Sequence, residues 1–235
     1  MYIFGKNTVN EALKQARKIY TIYTSNEITN LNLNKQQGVK IVKTSRKELD
    51  KLVKGNHQGI VAEVEDYKLS SVDDIINCKK SELGLILMLD GIEDPHNLGA
   101  IIRTCDCAKV DGIIYKKHNS VKLNGTVAKI SCGGIENVKV AEVTNLTTTL
   151  QYLKKHGYWV CGTDVNNASD YRDLKYDTNL VLIIGSEGKG ISRLVKKECD
   201  FLVNMPMDGV VTSLNASVAN GILLYQINTN RYYNK

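Results

Sequence analysis

Three stretches of the chain carry residue types that can do chemistry. In "LDGIEDPHNLGAIIRTCD", residues 89–106, an apolar run turns through Asp94 and Pro95 into a helical pattern that carries Asn97 and one cation, Arg103. Asp94 before proline fits a turn, and Asn97 fits the N-cap of the helix that follows. At ~100° per residue Arg103 comes about 600° further round, well away from the face of Asn97, so a joint role must come from tertiary contacts. Arginine is rarely buried without a partner, and a surface or salt-bridged position is its ordinary fate.

The second stretch, "LVLIIGSEGKGIS", is a buried strand running into Gly185, Gly188 and Gly190. A dinucleotide fingerprint needs G-x-G-x-x-G, and a P-loop needs Gly-Lys followed by Ser or Thr. This loop has Gly-Lys-Gly and places Glu187 where a phosphate would be repelled, so both readings fail. A glycine loop with an acid suits a neutral or cationic ligand held by backbone groups, and a plain tight turn is the alternative. In the third stretch, "VNMPMDGVVTSLNASVANGILLYQ", Pro206 and Gly209 break the chain and a helix of small residues begins near Ser213. Ser213, Asn215 and Ser217 sit at its start, where such residues are ordinary N-caps. Ala216, Val218, Ala219 and Gly221 indicate a face pressed closely against something, such as a partner helix.

These residues need elements to hold them. Short apolar strands, "LGLILML", "GIIY", "VKVAEV", "YWVCG" and "LVLIIG", alternate with segments of helical period from residue 83 onward. That alternation predicts a parallel sheet covered on both faces, with ligands at the carboxyl ends of its strands. Ahead of it, Thr8 with Glu11 and Ser45 with Glu48 read as capping boxes of two short helices, the first continuing through Ala12, Leu13 and Ala16. "KIYTIYT", "GVKIVKT" and "GIVAEVEDY" read as strands. The expected organisation is a small α/β unit over residues 1–67, a linker containing a weak helix over 68–82, and a larger α/β domain over 83–235.

Composition bounds the rest. With 235 residues and 43% hydrophobic content the chain can bury a real core. A formal charge of +6 and a pI near 8.9 permit a nucleic-acid partner and prove none. Six cysteines fall without a C-x-x-C pair and apart from the four histidines, so metal-ligand spacing is missing and most are expected to be small buried hydrophobes. The polar, amphipathic start and the want of any run near the ~20 apolar residues of a membrane span predict a cytoplasmic protein with no membrane partner.

"DGIEDPHNLGAIIRTCD", "LIIGSEGKGIS" and "MPMDGVVTSLNASVANGILLY" resemble, in order and spacing, the three motifs of the SpoU/TrmH family of RNA ribose 2′-O-methyltransferases, in the SPOUT superfamily. The resemblance covers the second half of the chain, and Met205, where aliphatic residues are usual, is a conservative change. "IFGKNTVNEAL" and "NHQGIVAEVEDY" resemble the small L30e-like RNA-binding domain of the branch that methylates a guanosine of 23S (large-subunit) ribosomal RNA, RlmB-like enzymes. The resemblance implies an α/β fold with a trefoil-knotted parallel-sheet catalytic domain behind an L30e-like domain. It implies S-adenosylmethionine as methyl donor, held by backbone groups at Gly185, Met205 and Leu214 with Thr163 closing the pocket, and no metal. It further implies a homodimer joined through the knotted domain and the last helix.

The reaction so implied moves a methyl group from a sulfonium to a ribose oxygen, and the hydroxyl must lose its proton. Arg103 is the family's activating residue, yet a guanidinium with a pKa above about 12 is a poor base. Abstraction by a nearby phosphate and direct action of Arg103 both stay open. Asn97, Glu187, Ser213 and Asn215 are expected to position Arg103, the ribose and its phosphate. Transfer RNA, another ribosomal position, a drug-resistance role and a non-catalytic RNA-binding or ribosome-assembly protein are the alternatives, since such motifs specify chemistry and not address.

Overall fold

The computed structural model describes residues 1–15, 17–25, 38–165 and 168–233. Tyr2–Phe4 (β1) leads into Lys6–Lys14 (α1), followed by Ile19–Thr24 (β2), Lys40–Lys43 (β3), Arg46–Leu52 (α2) and Ile60–Val64 (β4). These strands form a sheet in the order β1-β4-β2-β3, antiparallel except for the β2–β3 pair. β1 was not foreseen, being three residues long.

The Thr8 capping box is not formed. α1 starts three residues earlier, with Gly5 at its N-cap at φ 94° and no side-chain cap, and Thr8 is buried inside the helix. A left-handed φ is open to glycine, so the chain turns straight out of β1. Ser45 does cap α2, accepting from the Glu48 amide at 3.3 Å, while the Glu48 side chain turns to Lys51. A full capping box stands instead at Ser71 and Asp74, opening Val72–Ile76 (α3). Ala16 lies outside the described residues.

The second sheet takes Leu85–Asp90 (β5), Gly112–Lys116 (β6), Lys139–Val143 (β7), Trp159–Thr163 (β8), Ser169–Asp170 (β9), Leu180–Gly185 (β10) and Phe201–Asn204 (β11). All its pairings are parallel, in the order β7-β6-β5-β10-β8-β11-β9. Its central strands are apolar on both faces. Leu85, Leu87 and Leu89 of β5 and Leu180, Leu182 and Ile184 of β10 join one apolar cluster; Ile86, Met88, Val181 and Ile183 join the other. Pro95–Cys107 (α4), Gly125–Ile130 (α5) and Ala216–Asn228 (α8) cover the first face. α3, Leu146–Lys155 (α6) and Arg193–Lys197 (α7) cover the second.

Residues 68–82 are docked onto this sheet. The Ser70 amide donates to Val140 O, Ile75 is fully buried, and Asp111 accepts from the Lys80 and Leu85 amides, each at 2.7 Å. Burial pushes the Asp111 carboxyl up despite those bonds. The smaller unit packs on α5, and Arg17 bonds Glu136 at 2.9 Å while stacking over Tyr67. Of the cysteines only Cys105 and Cys161 are fully buried, Cys78 and Cys199 are half-buried, and Cys107 and Cys132 are exposed; burial pushes the Cys199 thiol up to about 11.

Candidate active site

The carboxyl ends of β5, β10, β8 and β11 form one edge, and the three chemically suggestive stretches leave the sheet there. Asp90 ends β5, and its Oδ2 accepts from the Ser192 amide at 2.7 Å, tying the first stretch to the glycine loop. That loop is a tight reversal in which Ser186 and Gly190 exchange backbone hydrogen bonds of 3.2 and 2.9 Å. Gly185 has no room for a side chain: a Cβ there would lie 2.1 Å from the Gly190 carbonyl carbon. The glycine at this position is a matter of closely opposed backbones.

Glu187, at the tip, is the hub of the site. Its Oε1 accepts from Asn97 Nδ2 at 3.0 Å, from Asn215 Nδ2 at 2.6 Å and from the Ala216 amide at 3.4 Å. Asn215 Nδ2 also donates to Asn97 Oδ1 at 2.9 Å. Residues from all three stretches, 118 positions apart at the extremes, are thus bonded to one another. The carboxylate serves protein amides here, which explains the acid where a phosphate loop would have none.

Asn97 is not the cap of α4. Asp94 holds that place, accepting from the His96 amide at 3.0 Å, with Pro95 in the first turn, and this frees the Asn97 amide for Glu187. Likewise α8 starts at Ala216 with Asn215 as its cap, bonded to the Ser217 amide and hydroxyl. Ser213 lies before that start, exposed and outside any regular element, and makes no hydrogen bond among the described residues. On the small-residue face of α8, Ala216, Ala219 and Asn220 are buried within the chain, with α8 packed on α4.

Arg103 stands on the exposed side of α4 and, among the described residues, has no hydrogen bond or ion pair. Its Cα–Cβ bond leans toward the helix start, back toward the bonded cluster. The structure therefore offers an unclaimed cation on the helix that carries Asn97. Salt bridging, the ordinary reason for a surface arginine, does not account for it.

Thr163, Gly185 and Met205 stand at or just beyond the ends of the adjacent strands β8, β10 and β11, and the Thr163 hydroxyl donates to Ile183 O at 3.3 Å. A cavity of about 350 Å³ opens beside them, lined by Tyr171, Met205, Asp208, Val211, Leu214 and Ile222 among others. Met205 and Leu214 thus share a cavity wall, which Gly185 and Thr163 do not reach. Asp90 and Tyr171 were not singled out from the sequence, although "LMLD" placed Asp90 at a strand end where ligands bind, and Asp94 was read as a turn residue and not as the helix cap. Among the described residues no group of three or more His, Cys, Asp or Glu side chains gathers as metal ligands would.

A parallel α/β sheet with this edge, preceded by a small mixed unit, defines a class, and residues 2–70 match the family model for RNA 2′-O ribose methyltransferase substrate binding. Residues 84–225 match the SpoU rRNA Methylase family, and the chain belongs to that family of S-adenosylmethionine-dependent RNA methyltransferases. It is 47% identical over 234 residues to YacO of Bacillus subtilis (strain 168), assigned to the TrmH family of tRNA/rRNA methyltransferases, covering 96% of this chain and 94% of that one. A protein of Staphylococcus haemolyticus (strain JCSC1435), assigned to the same family, is 43% identical over 98% of this chain and 96% of its own length. The fold is similar to that of the SpoU methyltransferase AviRb from Streptomyces viridochromogenes in complex with AdoMet, with TM-score 0.82, 22% identity, and 97% and 88% of the two chains covered. The A. aeolicus TrmH/SpoU tRNA modifying enzyme is similar over 67% of this chain and 80% of its own, with TM-score 0.59 and 28% identity.

Proposed function

We propose that this chain methylates the ribose 2′ oxygen of a guanosine in 23S ribosomal RNA, using S-adenosylmethionine. The observation that carries the reading is the bonded cluster of Asn97, Glu187 and Asn215 beside an unclaimed Arg103 and a cavity at the carboxyl edge. The residues fit the donor. About 350 Å³ is within the range of small-molecule sites, the lining mixes apolar side chains with polar groups, and the carboxylate of Asp208 in that lining suits a cationic sulfonium. Met205 and Leu214 hold the donor in this cavity through backbone groups, and Gly185 and Thr163, at the adjacent strand ends outside its lining, hold and close on the part of the donor that extends beyond it; when bound, the donor supplies an electrophilic methyl group.

Arg103 then acts on the RNA. Its guanidinium keeps its protons and presents five donors in a planar fork, so it orients the ribose and the adjacent phosphate and stabilises the oxygen as negative charge grows. The hydroxyl proton passes to the phosphate oxygen held in the same fork. Asn97, Glu187 and Asn215 fix the frame around Arg103, and Ser213, unbonded among the described residues, is left to meet the RNA.

The remaining parts of the proposal are architectural. Residues 1–67 form an L30e-like unit that grips RNA, 68–82 connect it, and 83–235 form a catalytic domain tied in a trefoil knot, a reading supported by β10 lying between β5 and β8 and by the return of α8 onto α4. The enzyme works as a homodimer in the cytoplasm, in keeping with six unpaired cysteines. Transfer of radiolabelled methyl groups onto unmodified ribosomal and transfer RNA, followed by mapping of the labelled nucleotide, tests the substrate. Labelling of transfer RNA alone, as the tRNA/rRNA designation of the relatives allows, would move the address and keep the chemistry.

A further inference from the structure

We infer that the loop joining β6 to α5, "KKHNSVK" at residues 116–122, is a phosphate clamp that carries the RNA strand from the amino-terminal unit to Arg103. The inference rests on the RNA reading above and names the surface that serves it. Lys116, Lys117, His118 and Lys122 are all exposed, and no acidic residue occurs between 116 and 135. None of the three lysine ammoniums has a hydrogen bond or ion pair among the described residues. Such a density of unpaired cations is the electrostatic footprint of a phosphate backbone.

The loop is not a loose basic tail. The Lys117 amide donates to Val143 O at 2.8 Å and the Val121 amide to Ile92 O at 3.2 Å, while the Ser120 hydroxyl donates to Lys116 O. Asn119 sits at φ 58°, and Val121 and Leu123 pack on the core. Asn124 then caps α5, accepting from the Thr126 and Val127 amides at 2.9 and 3.0 Å. A backbone fixed in this way sets where the cations stand before any ligand arrives, which lowers the entropic cost of binding.

Position completes the argument. Ile92, where the loop is tethered, lies between β5 and the start of the helix that bears Arg103, and α5 packs along that helix. On its other side the loop forms one wall of a cleft of about 460 Å³ whose facing wall includes Met1, Tyr2 and Tyr67 of the amino-terminal unit and Leu69 of the connecting segment. The carboxylates facing this cleft are Glu142 and Asp66; neither pairs with a loop lysine, and Asp66 is taken by the amino-terminal ammonium at 2.9 Å. The loop leaves the carboxyl end of β6, next to that of β5, so a strand that runs from this cleft to the carboxyl edge passes along it.

The test compares two double variants of the full chain with equal loss of charge. Lys117→Ala with Lys122→Ala empties the clamp; Lys155→Ala with Lys197→Ala removes two exposed lysines at the opposite, amino-terminal ends of the strands. Binding of a fluorescein-labelled 20-nucleotide poly(U) RNA is followed from 50 to 300 mM salt, with methyl transfer to unmodified 23S transcript and calorimetry of the methyl donor alongside. The clamp variant should bind RNA ~10- to 100-fold more weakly at low salt, and its log–log salt slope should flatten by about 1.4, the share of two phosphate contacts on a single strand. Its KM for RNA should rise while kcat at saturating RNA and donor affinity hold. Equal weakening by both double variants, or an unchanged slope in the clamp variant, would overturn the clamp and leave the RNA reading standing; no RNA binding by the parent chain would overturn both.

Discussion

Arg103 and Gly185 are where single side chains decide the outcome. Arg103 is exposed and has no hydrogen bond or ion pair among the described residues, so the fold loses nothing measurable without it, whereas a ribose hydroxyl and its phosphate lose their fixed cation. Arg103→Ala should lower single-turnover methyl transfer by ~100-fold or more, the usual scale for acid–base or electrostatic groups, with donor affinity and melting temperature unchanged. Arg103→Lys should recover little, because a point ammonium lacks the planar fork. A lowered melting temperature with the rate per folded molecule preserved would instead make Arg103 structural. Gly185→Ala is the opposite kind of change. Its Cβ would fall 2.1 Å from Gly190 C and 2.4 Å from the Ile191 amide, and backbone cannot swing aside as a side chain can. The expected result is a loss of about 2 kcal/mol in stability and at least ~10-fold in donor affinity by calorimetry. Unchanged donor affinity would separate the loop from the pocket.

At the scale of the element, α4 and α8 carry the site between them, running side by side from the carboxyl edge to the opposite end. Asn215 meets Asn97 at one end, and Asn228 donates to Ala108 O at 3.1 Å at the other. Beyond α8, Arg231 is buried and donates to the carbonyls of Tyr176 at 2.7 Å, Thr178 at 2.6 Å, Leu83 at 3.2 Å and Gly84 at 3.3 Å. It closes the return of the chain onto the starts of β5 and β10. Arg231→Met keeps the aliphatic stem and removes the donors, and should cost about 3 kcal/mol on chemical denaturation, well above an ordinary surface change. A loss under ~0.5 kcal/mol would show that water replaces those bonds. The sequence told of α4, α8 and the central strands because apolar period and glycine breaks are local. It placed the caps two or three residues off, since Asp94 and Asn97 compete for one helix start and only Glu187, 90 residues away, decides which is free. Arg231 left no local trace: an arginine in the last few residues of a chain looks like surface until the carbonyls around it are known.

The whole molecule is more than its two sheets. The amino-terminal unit shares an apolar cluster with the larger domain, and the buried Arg17–Glu136 pair with Tyr67 donating to Glu136 at 2.8 Å fixes the junction. What the single chain does not cover is the outer face of α8. Val218, Ile222 and Tyr225 follow one another at helical spacing and are 49, 36 and 55% exposed, with Leu214 just before the helix at 37% and Val210 and Val211 still more open. A helix apolar on every side belongs in an interior, and a contiguous apolar patch marks an interface. Val211, Leu214 and Ile222 of this patch also line the cavity assigned to the donor, so a second copy seated here would add a second wall to it. Val218→Glu with Tyr225→Glu leaves the lining residues untouched and places charge in the contact. Light scattering should give twice 26.2 kDa for the parent and 26.2 kDa for the double variant. Because the variant changes no residue of the lining, its donor affinity should fall by ~10-fold or more through loss of the second wall, while urea denaturation of the monomer shows an intact fold. A parent that scatters as a monomer, or a monomeric variant that binds the donor as the parent does, would sever the link between assembly and site.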